Sequence, residues 1–161
     1  MSEILDLLQA FHADKLTQLL RHQAAARVVG QYDVNNTYQY IVNREDVQLT
    51  WVAGAIRDLG ASPVEPAGQE RVVPGRGEAA ARAAIEEDAR DAQAFVDRWR
   101  PRVDALTNAR HRNMLRVVLG ETLEQLRFFQ QALAGRTDLL GRRGESAGPA
   151  RGEVLPARWI E

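Results

Sequence analysis

Glu45-Asp46-Val47-Gln48-Leu49-Thr50-Trp51-Val52, running on into Leu59-Gly60-Ala61-Ser62-Pro63, is the stretch on which the fold turns. Around it Tyr38, Ile41, Val42, Leu49, Val52, Ile56 and Leu59 recur at the period of an amphipathic helix, which Gly60 ends and Pro63 prevents from resuming. Glu45 falls inside that apolar stripe. A carboxylate is costly to bury unless something pairs with it, so the position calls for a partner. Glu121 repeats the pattern on another helix, beside Met114, Val117, Val118 and Phe128, with Glu124 one turn further on. Two such acids imply a polar site inside a helical bundle.

Working outward, the periodicity predicts four helices. The first spans Glu3 to Val29, with Ser2 as its cap, Ile4, Leu8, Phe11, Leu19, Ala26 and Val29 on one line, and Gly30 as its stop. The second spans Asn36 to Leu59, after a short connection in which Asp33, Asn35 and Asn36 serve as turn and capping residues. Residues 61 to 77 carry Pro63, Pro66, Pro74, Gly68, Gly75 and Gly77 with no strand pattern, the composition of a long crossover loop. A third helix, Glu78 to Leu106, repeats Ile85, Ala89, Ala92, Val96, Trp99, Val103 and Leu106, and Pro101 is expected to kink or divide it. After a turn at Thr107-Asn108, the fourth runs from Ala109 to Ala134 with Leu115, Leu119, Leu126, Phe129 and Leu133 aligned. Two hairpins joined by one long crossover make an all-α four-helix bundle over residues 1–135. Residues 136–161 change to a Gly-, Pro- and Arg-rich composition, read as a flexible tail whose Val154, Leu155, Trp159 and Ile160 form an apolar tip. That tip is expected to dock on its own bundle or a neighbouring subunit, or to recruit another protein.

Composition narrows the function classes. A chain of 161 residues is long enough for a core without staples. Without cysteine it has no disulfide, thiolate ligand or thiol nucleophile, which suits a reducing interior. Its 21 basic and 22 acidic residues are interspersed, so no basic field is available to hold nucleic acid. No apolar run approaches the roughly 20 residues that cross a bilayer. Ser2-Glu3 opens an amphipathic pattern rather than a signal segment, and the expected protein is soluble and cytoplasmic. Neither a phosphate-binding loop after a strand nor a serine nucleophile arrangement is visible, which leaves hydrolase and nucleotide-binding readings little support.

The segment Glu45 to Val52 followed by Ile56-Arg57-Asp58-Leu59-Gly60-Ala61-Ser62-Pro63 resembles the second helix of the ferritin-like superfamily, bacterioferritins and rubrerythrins in particular, over about residues 3 to 134. In that family two helices each give a Glu and the other two each give Glu-x-x-His, all pointing inward onto two iron or manganese ions. The resemblance implies that Glu45 is the bridging acid of the second helix and that Gln48 stands in place of its histidine. It further matches Glu121 to the acid of the fourth helix, Glu124 to its histidine, Glu86 or Glu87 to the acid of the third, and His12 to the acid of the first. Both paired histidines are thus replaced. One reading is an iron- or manganese-binding centre with oxygen- or peroxide-linked redox chemistry; the other is a metal-free polar network in a non-catalytic interaction or scaffold protein. A homo-oligomer, a dimer, is expected in either case.

Other residues carry plainer expectations. His22 lies ten residues from His12, and His111 ten from Glu121, about 15 Å along a helix, so neither is expected to share a ligand sphere there. Trp51 and Trp99 read as core aromatics. Glu86-Glu87-Asp88 reads as a solvated face with at most one member turned inward, and of Tyr38 and Tyr40 only one can face the core.

Overall fold

A computed structural model describes residues 2–65 and 71–140. Pro66, Gly68 and the apolar tip Val154, Leu155, Trp159 and Ile160 lie outside the described residues. Four helices make up the described chain: α1 (Glu3–Ala26), α2 (Tyr32–Asp58), α3 (Gly77–Asp104) and α4 (Ala109–Leu133). Each start except that of α3 is capped by a side chain. The Ser2 hydroxyl accepts from the Leu5 N–H at 3.3 Å, Gln31 Oε1 from Val34 at 2.7 Å, and Asn108 Oδ1 from His111 at 3.1 Å.

The α2 start lies four residues before the expected one, because its first turn, Tyr32 to Asn35, carries a single buried apolar residue, Val34, too little to extend the apolar period. Asn35, expected as a capping residue of the connection, sits inside that first turn and donates its amide to the Ala26 and Val29 carbonyls at 2.7 and 3.0 Å, closing the end of α1. The expected stop of α2 is as written: Gly60 has φ 85°, its N–H bonds to the Arg57 carbonyl, and the Ala61 N–H bonds to the Ile56 carbonyl. Gly135, with φ 89°, ends α4 by the same pair of bonds. Of the two outcomes expected at Pro101, division does not occur: α3 continues through it as one element. The proline lies within its last turn, where little helix remains to be broken, and buried Trp99 and Val103 hold the segment on either side.

The antiparallel hairpins α1–α2 and α3–α4 pack side by side, with α1 also against α3 and α2 against α4. The connection from α2 to α3 therefore traverses the whole length of the bundle, and α2 and α3 run parallel on one diagonal. No helix among the described residues is long and apolar enough to cross a membrane.

Two apolar clusters fill the ends of the bundle. One gathers Leu8, Phe11, Val52, Ile56, Phe95, Trp99, Val103, Leu115 and Val118, with Phe11 edge-on to Phe95 and Trp99 at 5.3 and 5.0 Å. The other gathers Val29, Val34, Tyr38, Ile41, Ile85, Phe128 and Phe129 and is joined by Leu139, which lies beyond the expected border at residue 135. Tyr38 faces the core and Tyr40 does not, as their two-residue spacing requires. Trp51 departs from expectation. It sits one position, about 100° of helix, away from buried Val52, is exposed, and lies under the Arg44 guanidinium at 5.7 Å.

Of Glu86-Glu87-Asp88 the inward member is Asp88, which is wholly buried. It accepts from the Tyr38 hydroxyl at 2.6 Å and pairs with Arg71 of the crossover at 2.5 Å. Burial and the Asp88 charge raise the Tyr38 pKa well above the ordinary value, so the phenol stays a donor. Replacing Asp88 by Ala strands a buried guanidinium and a buried hydroxyl together and is expected to cost about 3–5 kcal/mol in urea unfolding, while Tyr38→Phe, losing one hydrogen bond, costs about 1 kcal/mol.

Candidate functional site

Between the two apolar clusters lies a polar layer, and α1 supplies its least obvious members. The line Ile4, Leu8, Phe11, Leu19, Ala26, Val29 skips two steps, and Lys15 and His22 fill them. Helical spacing therefore drives both side chains into the bundle, where Lys15 is wholly buried and His22 almost so. Opposite them on α2 is Glu45, also wholly buried. Its Oε2 faces the Lys15 ammonium at 3.2 Å, and its Oε1 accepts from His22 Nδ1 at 2.5 Å. An ionised carboxylate only accepts, so the imidazole proton sits on Nδ1.

The ammonium completes its bonding with Gln18 Oε1 at 3.0 Å and Thr122 Oγ1 at 3.2 Å, and the Phe95 ring lies 5.1 Å away. Thr122 passes its own proton to the Val118 carbonyl at 2.8 Å, which leaves its oxygen free to accept. Gln18 donates to the Asp91 carbonyl of α3 at 3.4 Å. The layer thus ties all four helices at one level.

These contacts set the charges. Burial pushes the Glu45 carboxyl up, but His22 and Lys15 together pull it below the ordinary value. Burial pulls His22 down, and Glu45, with Asp88 behind it, outweighs burial and the opposing Lys15 charge, so the imidazole lies above its ordinary value. Burial lowers the Lys15 ammonium despite Glu45 and, behind it, Glu121.

Of the residues expected as ligands, the structure brings together Gln48 and Glu121 at the α2–α4 seam, while Glu45, one turn from Gln48 on α2, is held by Lys15 and His22 of α1. The Gln48 amide donates to Glu121 Oε2, and Glu121 Oε1 accepts from Arg44 Nη2 at 2.5 Å and Nε at 3.1 Å. Gln48 is wholly buried, whereas Glu121 is a seam residue with part of its side chain in solvent. The remaining candidates lie elsewhere. His12 is buried with Nδ1 unpartnered; burial lowers its pKa, Glu65 opposes this and Arg57 adds to it, which places it toward the C-terminal end of α2. Glu86 pairs with Arg82 at 3.2 Å, Glu87 with Arg21 at 3.5 Å, and Glu124 with Arg127, all on the outside.

Among the described residues no group of three or more histidine or acidic side chains converges as a cation site. Each Glu45 oxygen already holds a hydrogen-bond or ion-pair partner, and one of those partners is itself a cation. As arranged, these donors do not fit a divalent iron or manganese ion.

Access is equally restricted. Clefts of about 640 and 650 Å³ open at the two ends of the bundle, one beside Val34 and Leu133 and the other beside Leu7 and Leu106, away from the layer. A shallow groove of about 250 Å³ along α1 and α3 touches it only at Gln18. The space at the seam, beside Arg44, Glu121 and Gln125, holds about 20 Å³, enough for one water.

Lys15→Met removes one cation of a buried charged set and leaves Glu45 with His22 alone, with an expected loss of about 3–5 kcal/mol in urea unfolding; Lys15→Met/His22→Leu/Glu45→Leu, which removes the whole set, is expected to recover most of it. The pH dependence follows from linkage. The stability carried by Glu45 is present above the ordinary carboxylate value of 4.5 and is lost as pH falls through its lowered one. The stability carried by His22 is present below the ordinary 6.5 and is lost as pH rises through its raised one. Lys15 acts oppositely, recovering stability as pH rises from its lowered value toward 10.5. His12, lowered by burial, likewise gains stability as pH rises toward 6.5, so chemical unfolding across pH should show stability lost below about 4.5 and above about 6.5, and His22→Asn should remove the decline on the alkaline side.

No protein-family model matches the chain, and no curated protein matches it in sequence. Among solved structures it is similar to a mutant of Dps1 from Mycobacterium smegmatis, with 16% sequence identity over 83% of this chain and 99% of that one, at a TM-score of 0.61. At such identity the likeness speaks for the fold. With its two antiparallel hairpins, its bundle-long crossover and this likeness, the chain has the fold of a ferritin-like four-helix bundle.

Proposed function

We propose that this ferritin-like bundle is a non-catalytic module that acts by associating with a second copy of itself through the outer face of α2 and α4. The observation that carries the reading is a row of large apolar side chains left in solvent: Tyr40, Val47 and Trp51 of α2 and Val117 of α4 are 45%, 40%, 37% and 49% exposed. Their spacing, with Arg44 between them, keeps the α2 members on one side of that helix. Two glycines fall within the same helices. A side chain added at Gly54 or Gly120 would meet nothing within 4 Å, so the fold of one copy does not require either. Glycine inside a helix costs about 0.5–1 kcal/mol relative to alanine, and close approach of another backbone is the usual gain.

The spacing also suits a second copy of this chain. A two-fold interface is self-complementary, and Tyr40 and Gly54 stand seven residues either side of Val47. An antiparallel α2 pairing centred on Val47 sets the large side chain of each copy against the small one of the other. The alternative, iron or manganese bound at the centre with oxygen or peroxide chemistry, needs Glu45 and Glu121 on shared ions. Glu45 is engaged by Lys15 and His22, and Glu121 by Arg44 and Gln48, which favours the non-catalytic reading.

Light scattering coupled to gel filtration tests this directly. The wild-type chain is expected to run as a dimer, or as an assembly built from dimers, and Val47→Glu/Trp51→Glu as a folded monomer. A monomeric wild type at tens of micromolar sinks the proposal. Gly54→Ala should separate the two roles of the face, raising the stability of the separated bundle by about 0.5–1 kcal/mol while weakening association.

A further inference from the structure

We infer that Lys15 is a built-in counter-cation standing where a ferritin-like bundle would present a metal ion to its central carboxylate, and that its ammonium closes the centre to divalent cations. The geometry carries this independently of how copies associate. Glu45 bridges two partners, one on each oxygen: the Lys15 ammonium at 3.2 Å on Oε2 and the His22 N–H at 2.5 Å on Oε1. A carboxylate between two metal ions divides its oxygens in the same way. The surroundings of Nζ are those of a bound cation, with one group from each helix: Gln18 Oε1 from α1, Glu45 Oε2 from α2, the Phe95 ring from α3 and Thr122 Oγ1 from α4. Two of these oxygens, Gln18 Oε1 and Thr122 Oγ1, accept hydrogen bonds from the ammonium and the third, Glu45 Oε2, pairs with its charge at 3.2 Å, so all three already face a cation.

Two α1 residues face Glu45, Lys15 and His22, and neither is His12, whose electrostatic neighbours are Arg57 and Glu65 instead; the cation nearest in sequence to His12 is Lys15, three positions beyond it. A cation therefore occupies the helix position from which an acid would complete a metal site. Gln18, Glu45 and Thr122 already supply oxygens there, and one turn on from Glu45 and Thr122 the carbonyl oxygens of Gln48 and Gln125 are buried without a hydrogen-bond partner. Hard divalent cations take oxygen ligands of these kinds, so exchanging the ammonium for a carboxylate turns a cation-filled cage into a cation-binding one.

The test uses Mn(II) alone as probe, on the full-length chain without a histidine tag. Wild type, Lys15→Glu, Lys15→Gln and Lys15→Glu/Glu45→Gln are incubated with Mn(II) and desalted, and their metal content and Tm are measured. Wild type is expected to retain no Mn(II) and to keep its Tm. Lys15→Glu is expected to retain close to one ion per chain and to gain several degrees in Tm with metal, an effect that Lys15→Glu/Glu45→Gln loses. Should Lys15→Glu stay unfolded even with Mn(II), Lys15→Gln decides. It keeps a side chain able to donate to Glu45, and it is expected to show a Mn(II)-dependent rise in Tm that wild type lacks. Stoichiometric Mn(II) on wild type that Glu45→Gln abolishes would overturn the inference, because the centre would then be open with Lys15 present. Folded variants at Lys15 that take up no Mn(II) would overturn it equally, because the ammonium would not be what closes the centre.

Discussion

The buried carboxylate of Glu45 is the constraint to which the rest of the bundle answers. An ionised acid with no exposure is stable only where counter-charge and hydrogen bonds meet both of its oxygens, and the fold supplies them from the neighbouring helix as Lys15 and His22. Compared with apolar packing of the same volume, such an arrangement contributes little net stability. What it contributes is a penalty on alternatives. A slip of α1 against α2 would leave two or three buried charges without partners, and the bonds from Lys15 to Thr122 and from Gln18 to the Asp91 carbonyl extend the same penalty to α4 and α3. Two apolar clusters alone would tolerate sliding, because leucine and valine contacts are interchangeable; the layer between them does not.

A second buried acid does for the connection what Glu45 does for the helices. The crossover from α2 to α3 has to traverse the bundle, and a long loop without secondary structure has many ways of doing so. Arg71 fixes one of them by pairing with Asp88 inside the bundle, on an acid already held by the Tyr38 hydroxyl from the diagonally opposed helix. The His22 and Tyr38 rings, 6.2 Å apart and edge to face, bring this latch alongside the central layer, and Asp88 helps to set the His22 pKa. Both buried acids therefore belong to one continuous electrostatic neighbourhood.

The helices were legible in the sequence because burial imposes a period, and Gly60, Asn108 and Gly135 mark their ends with residues chosen for backbone geometry. The first turn of α2, with Val34 as its one buried apolar residue, left too faint a mark, hence the missed start at Tyr32. At the site, Glu45 was legible as a charge within a stripe, and its need for a partner followed at once. The partner was not. Periodicity read from apolar residues alone passes over Lys15 and His22, yet the gaps they fill in the line Leu8, Phe11, Leu19, Ala26 were the signal that could have found them. Family resemblance pointed to His12 instead, three positions away on the same helix. Spacing also could not decide which of Glu86, Glu87 and Asp88 turns inward, because neighbouring positions differ by about 100° and the direction of the core depends on packing against α1 and α4.

Arg44 joins the closed centre to the exposed face. Its guanidinium holds Glu121, which accepts the amide of wholly buried Gln48, and it lies over the Trp51 ring at 5.7 Å. In a single copy the Arg44–Glu121 pair is partly in water, and water weakens it. A second chain covering Trp51 would exclude that water. Charge interactions strengthen as the surrounding dielectric falls, so the pair would tighten, hold Glu121 more firmly on Gln48, and stiffen α2 where it carries Glu45. Association of the kind proposed and order in the polar layer would then reinforce each other through one arginine.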